Sequence, residues 1–331
     1  MRELKKIMIL ALIAAFMVSM LFIGTSCKKE AAPAEEAVEA PEEITVAFST
    51  ITLADRFFVR LNDGMEKRAN ETGVSLILHN PDGDPMSQYS AVENFITQGA
   101  DVIIVDPMEP NGIMPALQKA KEANIPVMAV DEVMRGVDLI DASVGDDNQV
   151  VSKKLGEELL AYMDAHGIEK AYIGVIHTID SPIEITRYEG FKEVVDANPD
   201  RMEIVGRYDA KFSIEEASKG AENLISANPN LNFFYGAGGN YMIGALVGIR
   251  SQGVEDRVKM IGWDLSAQLI EAIDQGIYIM AAEQDAASMG REAIDAAIKL
   301  AKGEEVERYI YVPVTYVTSD NVDQFRSEYQ E

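Results

Sequence analysis

From Ile44 onward the chain alternates short, nearly continuous apolar runs with longer amphipathic stretches, and this rhythm restricts the fold more than any other feature. ITVAFST (44–50), SLILHN (75–80), DVIIVDP (101–107) and IPVMAVD (125–131) read as strands, while 55–73, 86–99 and 113–124 carry apolar residues at helical spacing. A strand that is apolar throughout is buried on both faces, and a helix between consecutive strands supplies the cover, which makes a parallel sheet. After a polar break at SVGDDNQ (143–149) the rhythm starts again. Helices are expected over 150–166, 187–198, 214–227 and 241–252, with strands at 170–177, 202–208, 232–238 and 258–264. A helix (266–275), a strand (277–284), a helix (287–302) and a β-rich segment (309–318) complete the chain. Two similar α/β halves result, as 331 residues would suggest, since one core rarely grows that large.

Charge narrows the partners. A formal net charge of -26 repels nucleic acid and anionic headgroups, so no nucleic-acid partner is expected and any membrane attachment is covalent or hydrophobic. The amino terminus supplies such an attachment. Arg2, Lys5 and Lys6 precede an apolar run from Ile7 to Ile23, then Gly24-Thr25-Ser26 and Cys27, the only cysteine. That is the layout of a secretory signal with a processing site. A transmembrane anchor is the competing reading, since the run nearly spans a bilayer. The small residues and lone cysteine at its end resemble a bacterial lipobox, although Gly24 stands where a Leu is usual. Residues 1–27 are therefore expected to be a lipoprotein signal with Cys27 acylated, on an extracytoplasmic, lipid-anchored protein. Cleavage before Cys27 removes Arg2, Lys5, Lys6 and Glu3, so the charge of -26 becomes about -28. Residues 28–43 (KKEAAPAEEAVEAPEE) lack aromatics and carry a single Val, too little to offset ordering entropy, and read as a solvated tether.

In open parallel sheets ligands bind beyond the carboxyl ends of the strands. Those positions hold Asp55 with Phe57 and Phe58, then Asp106, then Asp131-Glu132 in the first half. In the second they hold Arg187, Asp209 to Phe212, Gly236 to Asn240, Trp263-Asp264 and Glu283-Gln284. Carboxylates and amides that exchange hydrogen bonds with hydroxyls, with aromatic faces for C–H surfaces, suit a neutral polyol. The carboxylate excess could also suit a cationic or amine ligand, although Asp commonly serves as a hydroxyl acceptor in such sites and Arg187 would offset one charge. Each of these residues has a structural alternative: Asp and Asn after strands often cap helices, one of Phe57 and Phe58 belongs to a core, and Arg187 has Glu189 nearby for an ion pair.

Enzyme signatures are weak. His79, His166 and His177 lack metal-ligand spacing, and neither a G-x-S-x-G elbow nor a Walker loop is present. Gly236-Ala-Gly238-Gly239 follows a strand, but Tyr241 stands where a dinucleotide fingerprint needs its third glycine. NPDGDP (80–85) lacks the ligand spacing of a calcium loop and reads as a turn. A binding protein without catalysis, metal or cofactor is the expectation.

Read as a whole, the sequence from Ile44 to the end resembles the periplasmic sugar-binding proteins of the ribose, galactose and arabinose group. The resemblance lies in FFVRLNDGMEKRANETG, NIPVMAVDE, RYEGF, FFYGAGGNYMIGAL, MIGWD and VTSDNVDQF, in that order. It implies the type I periplasmic binding protein fold: two similar doubly wound parallel-sheet lobes joined by a three-strand hinge. The lobes would comprise 44–146 plus 286–312 and 147–285 plus 313–331. It implies a monomer that closes around a monosaccharide, an aldopentose or aldohexose, and delivers it to an ABC permease. A chemoreceptor or histidine-kinase partner, or a polyol, nucleoside or amine ligand, is the alternative. By the same resemblance Asp55 stands where the family bonds sugar hydroxyls, and Phe57 or Phe58 where it stacks an aromatic ring. Asp131 and Glu132 match an acidic pair of arabinose binders, and Arg187 an arginine that bonds the ring oxygen or a hydroxyl. Phe212 and Trp263 match second-lobe aromatics, Asp264 and Gln284 polar partners, and Asp106 an asparagine of ribose binders. Asn240 lies near an expected asparagine that Gly238 and Gly239 replace, and Ile51 near an expected lysine.

Overall fold

The computed structural model describes residues 43–329. The expected signal, Cys27 and all but the last residue of the tether lie outside the described residues.

Two α/β lobes each hold one six-stranded sheet. The first sheet contains β1 (Thr45–Ser49), β2 (Ser75–His79), β3 (Val102–Val105), β4 (Val127–Val130), β5 (Ala142–Gly145) and β11 (Tyr309–Tyr311), ordered β11-β5-β4-β3-β1-β2. The second contains β6 (Ala171–His177), β7 (Met202–Asp209), β8 (Phe233–Gly236), β9 (Lys259–Trp263), β10 (Tyr278–Glu283) and β12 (Thr315–Val317), ordered β12-β10-β9-β8-β6-β7. Pairings are parallel except β10 with β12. In both sheets the order reverses beside the first strand, and the crevice at such a switch point is where open α/β sheets bind ligands.

Local chemistry explains the elements. All four residues of β3 and of β4 are buried, as aliphatic strands between covered faces must be. Helices α1 (Arg56–Thr72), α2 (Pro85–Thr97), α4 (Asn148–His166), α6 (Ile214–Ala227), α8 (Ala267–Asp274) and α9 (Ala286–Ala301) each begin at an Asp or Ser whose side chain accepts a backbone N–H. Helices α3 (Pro110–Glu122) and α5 (Pro182–Ala197) begin instead with proline, whose fixed φ suits the first turn. Helix α7 (Gly239–Gln252) opens at Gly239. The chain leaves the first sheet after β5, returns through α9 and β11, and crosses once more to β12.

Three elements differ from the sequence reading. The segment taken as a polar break contains β5, a buried interior strand of small residues (ASVG) whose only large apolar side chain is Val144. The single β-rich segment at 309–318 is two strands in different sheets, separated around Pro313. Helix α5 starts five residues before Arg187, so Arg187 projects from its second turn.

Helices α1 and α9 pack with backbones in contact. A Cβ on Gly290 would lie 2.3 Å from the Leu61 carbonyl oxygen, and one on Gly64 2.2 Å from that of Ala287. Neither backbone can yield without parting the helices. Gly290→Ala is therefore expected to lower the unfolding free energy by about 2 kcal/mol or more through overpacking, seen as a lower urea midpoint with an unchanged slope.

Candidate ligand-binding site

The carboxyl ends of both sheets supply the site. Beyond β3, Asp106 is fully buried, and neither carboxylate oxygen has a hydrogen-bond partner among the described residues. Its loop is pinned by buried Gln88, whose Nε2 donates to the Thr50 and Asp106 carbonyls (3.1 and 2.7 Å) and whose Oε1 accepts from Met108 N (3.1 Å). Beyond β4, Asp131 is buried at φ 64° and its N–H donates to the Val144 carbonyl (2.9 Å). Asp146 follows β5, 2% exposed, again with both oxygens unpartnered. Asp55 accepts from Phe57 N (2.9 Å), capping α1.

Burial pushes these acids up. Asp106 and Asp146 lie well above the usual carboxylate range, while Asp131 is pushed to about 6 and Glu132 to about 7. Repulsion adds to burial: Asp131 and Glu132 act on Asp106, and Asp264 and Asp55 act on Asp131. Arg187 opposes the rise at Asp131, Glu132 and Asp146, so first-lobe acids and a second-lobe cation share one space.

Arg187 organises the opposite wall. It is 5% exposed, and its Nε donates to Asn148 Oδ1 (2.7 Å), one terminal nitrogen to the Ala237 carbonyl (2.9 Å) and the other to Gln284 Oε1 (3.1 Å). Gln284 in turn donates to Asp264 Oδ1 (2.7 Å), and Asp264 Oδ2 accepts from Gly239 N (2.9 Å). Asp264, like Asp131 and Phe212, has a positive φ. Such strain at non-glycine residues collects where a ligand site demands a particular geometry.

Trp263 corrects an expectation. Its ring is fully buried, Nε1 donates to Ser152 Oγ (3.1 Å), and the Arg187 guanidinium carbon lies 3.6 Å from its ring centre. The ring face expected to stack on ligand is taken by Arg187, so Trp263 supports the guanidinium from beneath. Phe57 and Phe58 are half-buried against the first-lobe core and meet edge to face at 5.2 Å. Phe212 is 61% exposed, its N–H bonded to Thr178 Oγ1 (2.9 Å), and its carbonyl lies 3.4 Å from Asn240 Nδ2. Glu283 is turned to Arg60 of α1 (3.0 Å) and to Tyr329 Oη, a contact between the lobes.

The structure thus brings Asp55, Asp106, Asp131 and Glu132 together with Arg187, Asp264 and Gln284. Sequence reasoning missed Asp146, Asn148 and Gln88. Asp146 is the first residue after a strand and would have been chosen had β5 been recognised. Acceptors and one guanidinium converge from both lobes, which suits several hydroxyl contacts. Among the described residues no cluster of His, Cys, Asp and Glu has the geometry to hold a metal ion.

A family model described as periplasmic binding protein domain matches residues 46–305. The ribose import binding protein of Bacillus subtilis is 26% identical over 302 residues, 90% of this chain and 95% of the relative. The D-ribose/D-allose-binding protein of Pseudomonas aeruginosa is 26% identical over 295 residues, 85% of this chain and 91% of the relative. An ABC transporter solute binding protein from Bacillus halodurans, solved with bound myo-inositol, is 25% identical with a TM-score of 0.78, covering 87% of this chain and 98% of that one.

Proposed function

We propose that this chain, which belongs to the type I periplasmic sugar-binding proteins, captures a monosaccharide, an aldopentose or aldohexose, between its lobes and delivers it to an ABC importer. One observation carries the reading: Arg187, held by three acceptors and a ring face, confronts acids from the ends of two first-lobe strands, β4 and β5. The lobes are taken as 44–146 plus 286–312 and 147–285 plus 313–331, with crossings near 146, 285 and 312 as the hinge. Full contacts to both walls exist only when the lobes are closed, so affinity and closure are coupled. The protein acts as a monomer without turnover, tethered through acylated Cys27 and the acidic segment 28–43 on the extracytoplasmic side of a bacterial membrane.

The only tryptophan gives the test. Ligand that bonds Arg187 alters the cation 3.6 Å from the Trp263 ring, so emission reports binding even though the ring is buried. Full-length protein, in a detergent without a sugar headgroup and stripped of ligand by unfolding and refolding, is expected to show a saturable change at micromolar monosaccharide. No emission change and no thermal shift with any aldopentose or aldohexose would contradict the reading.

A further inference from the structure

We propose that the ligand carries a protonated amine, as an amino sugar or aminocyclitol does, and that its ammonium group seats among Asp106, Asp131 and Glu132. This rests on the reading of the cleft as the ligand site and narrows the chemistry of its ligand, aminocyclitols lying outside the aldoses named above. The charges in the cleft do not balance. Asp131, Glu132 and Asp146 lie within reach of one guanidinium and Asp106 lies beside Asp131 and Glu132, while Arg187 gives its hydrogen bonds to Asn148, the Ala237 carbonyl and Gln284, all of them neutral. It screens the acids from a distance and pairs directly with none of them.

Local donors account for only part of the acidic set. Asp55 is engaged by Phe57 N, and Asp264 by Gly239 N and Gln284. Asp106 is completely buried with both oxygens unpartnered, and it lies close enough to Asp131 and Glu132 for each to raise its pKa. An asparagine would accept a sugar hydroxyl from this position without the desolvation penalty of a buried carboxylate. What a carboxylate adds is attraction for positive charge, and an ammonium group offers both that charge and three donors to an acceptor-only wall.

Protonation makes the inference testable. Burial holds Glu132 at about 7, so it is largely protonated at pH 6 without ligand, and burial raises Asp106 in the same direction. A cation lowers these values and expels protons, so its affinity rises with pH up to about neutrality. A neutral sugar accepts from the protonated acids and expels none.

The experiment is calorimetry on the full-length protein in the same detergent, at pH 6, in two buffers of different ionisation enthalpy. Glucosamine, galactosamine and a monoamino-inositol are compared with glucose, galactose and myo-inositol. At least one amine is expected to bind about tenfold or more tighter than its hydroxyl parent and to release about one proton per ligand. Asp106→Asn is expected to shrink both the amine-to-parent ratio and the proton release. A parent sugar that binds as tightly as its amine, without proton release, overturns this inference and leaves the sugar site standing. Binding by no member of either series also overturns this inference, and the sugar-site reading falls with it only when every aldopentose and aldohexose fails in the emission titration as well.

Discussion

Arg187→Ala abolishes measurable ligand binding and lowers the unfolding free energy by about 3 kcal/mol or more, since buried acceptors are left without donors. The buried Asn148 and Gln284 side chains and the Ala237 carbonyl all lose their charged partner, and the upper face of Trp263 loses its cover. The acids across the cleft lose the one cation that lowers them, so Asp131 and Glu132 rise further. Arg187→Lys keeps the charge but not the planar fork, because one ammonium group cannot reach acceptors on three sides while lying flat on an indole. It is expected to weaken binding roughly 100-fold with a smaller loss of stability. Urea denaturation and calorimetry on both variants separate the effects. An alanine variant that binds like the parent protein would show that Arg187 is part of the core and not of the site.

The second large effect is on pH. Asp131 rises from 3.8 to about 6 and Glu132 from 4.5 to about 7, and burial raises Asp106 and Asp146 well above 3.8. An acid with a higher pKa in the folded state binds more protons there than when unfolded, so its contribution to stability is lost as pH increases between the two values. The window set by Asp131 and Glu132 runs from about 4 to about 7. His177, lowered to about 4 by burial and Arg207, works in the opposite sense below its ordinary value of 6.5, but it is one group against several. The ligand-free protein is expected to melt about 10 °C lower at pH 8 than at pH 5, given roughly 2–4 °C per kcal/mol for a chain of this size class. Asp106→Asn separates this from general self-repulsion: it raises the melting temperature at pH 8 by about 3 °C or more and changes little at pH 5. A melting temperature that is flat or rising across this range, or an Asp106→Asn variant no more stable at pH 8, would contradict the burial of charge described here. The same substitution that stabilises the empty protein removes an acid from the ligand site, the usual conflict between stability and function.

What the sequence made legible follows from where the signal lies. Aliphatic runs such as VIIV and VMAV announce interior strands because every side chain is buried, whereas β5 occupies the same kind of position with Ser143 and Gly145 and carries no pattern to read. Missing β5 hid Asp146 in turn. The rule that ligands meet the ends of parallel strands singled out Asp106, Asp131 and Asp264, whose placement depends only on strand order. It chose Trp263 as well, but chain order does not say whether a strand-end ring points outward or down, and this one lies under Arg187. The Arg187 network was out of reach for another reason: its acceptors lie 39, 50 and 97 residues away and meet only through tertiary packing.

A crystal structure of the protein grown with its tightest-binding ligand tests the central claim most directly. Density is expected for one small hydroxylated ring between the lobes, bonded to Arg187 on one side and within hydrogen-bond reach of Asp106, Asp131 or Glu132 on the other. A ligand found outside this cleft, or one that touches a single lobe and leaves Arg187 and the acids as they are, would contradict it.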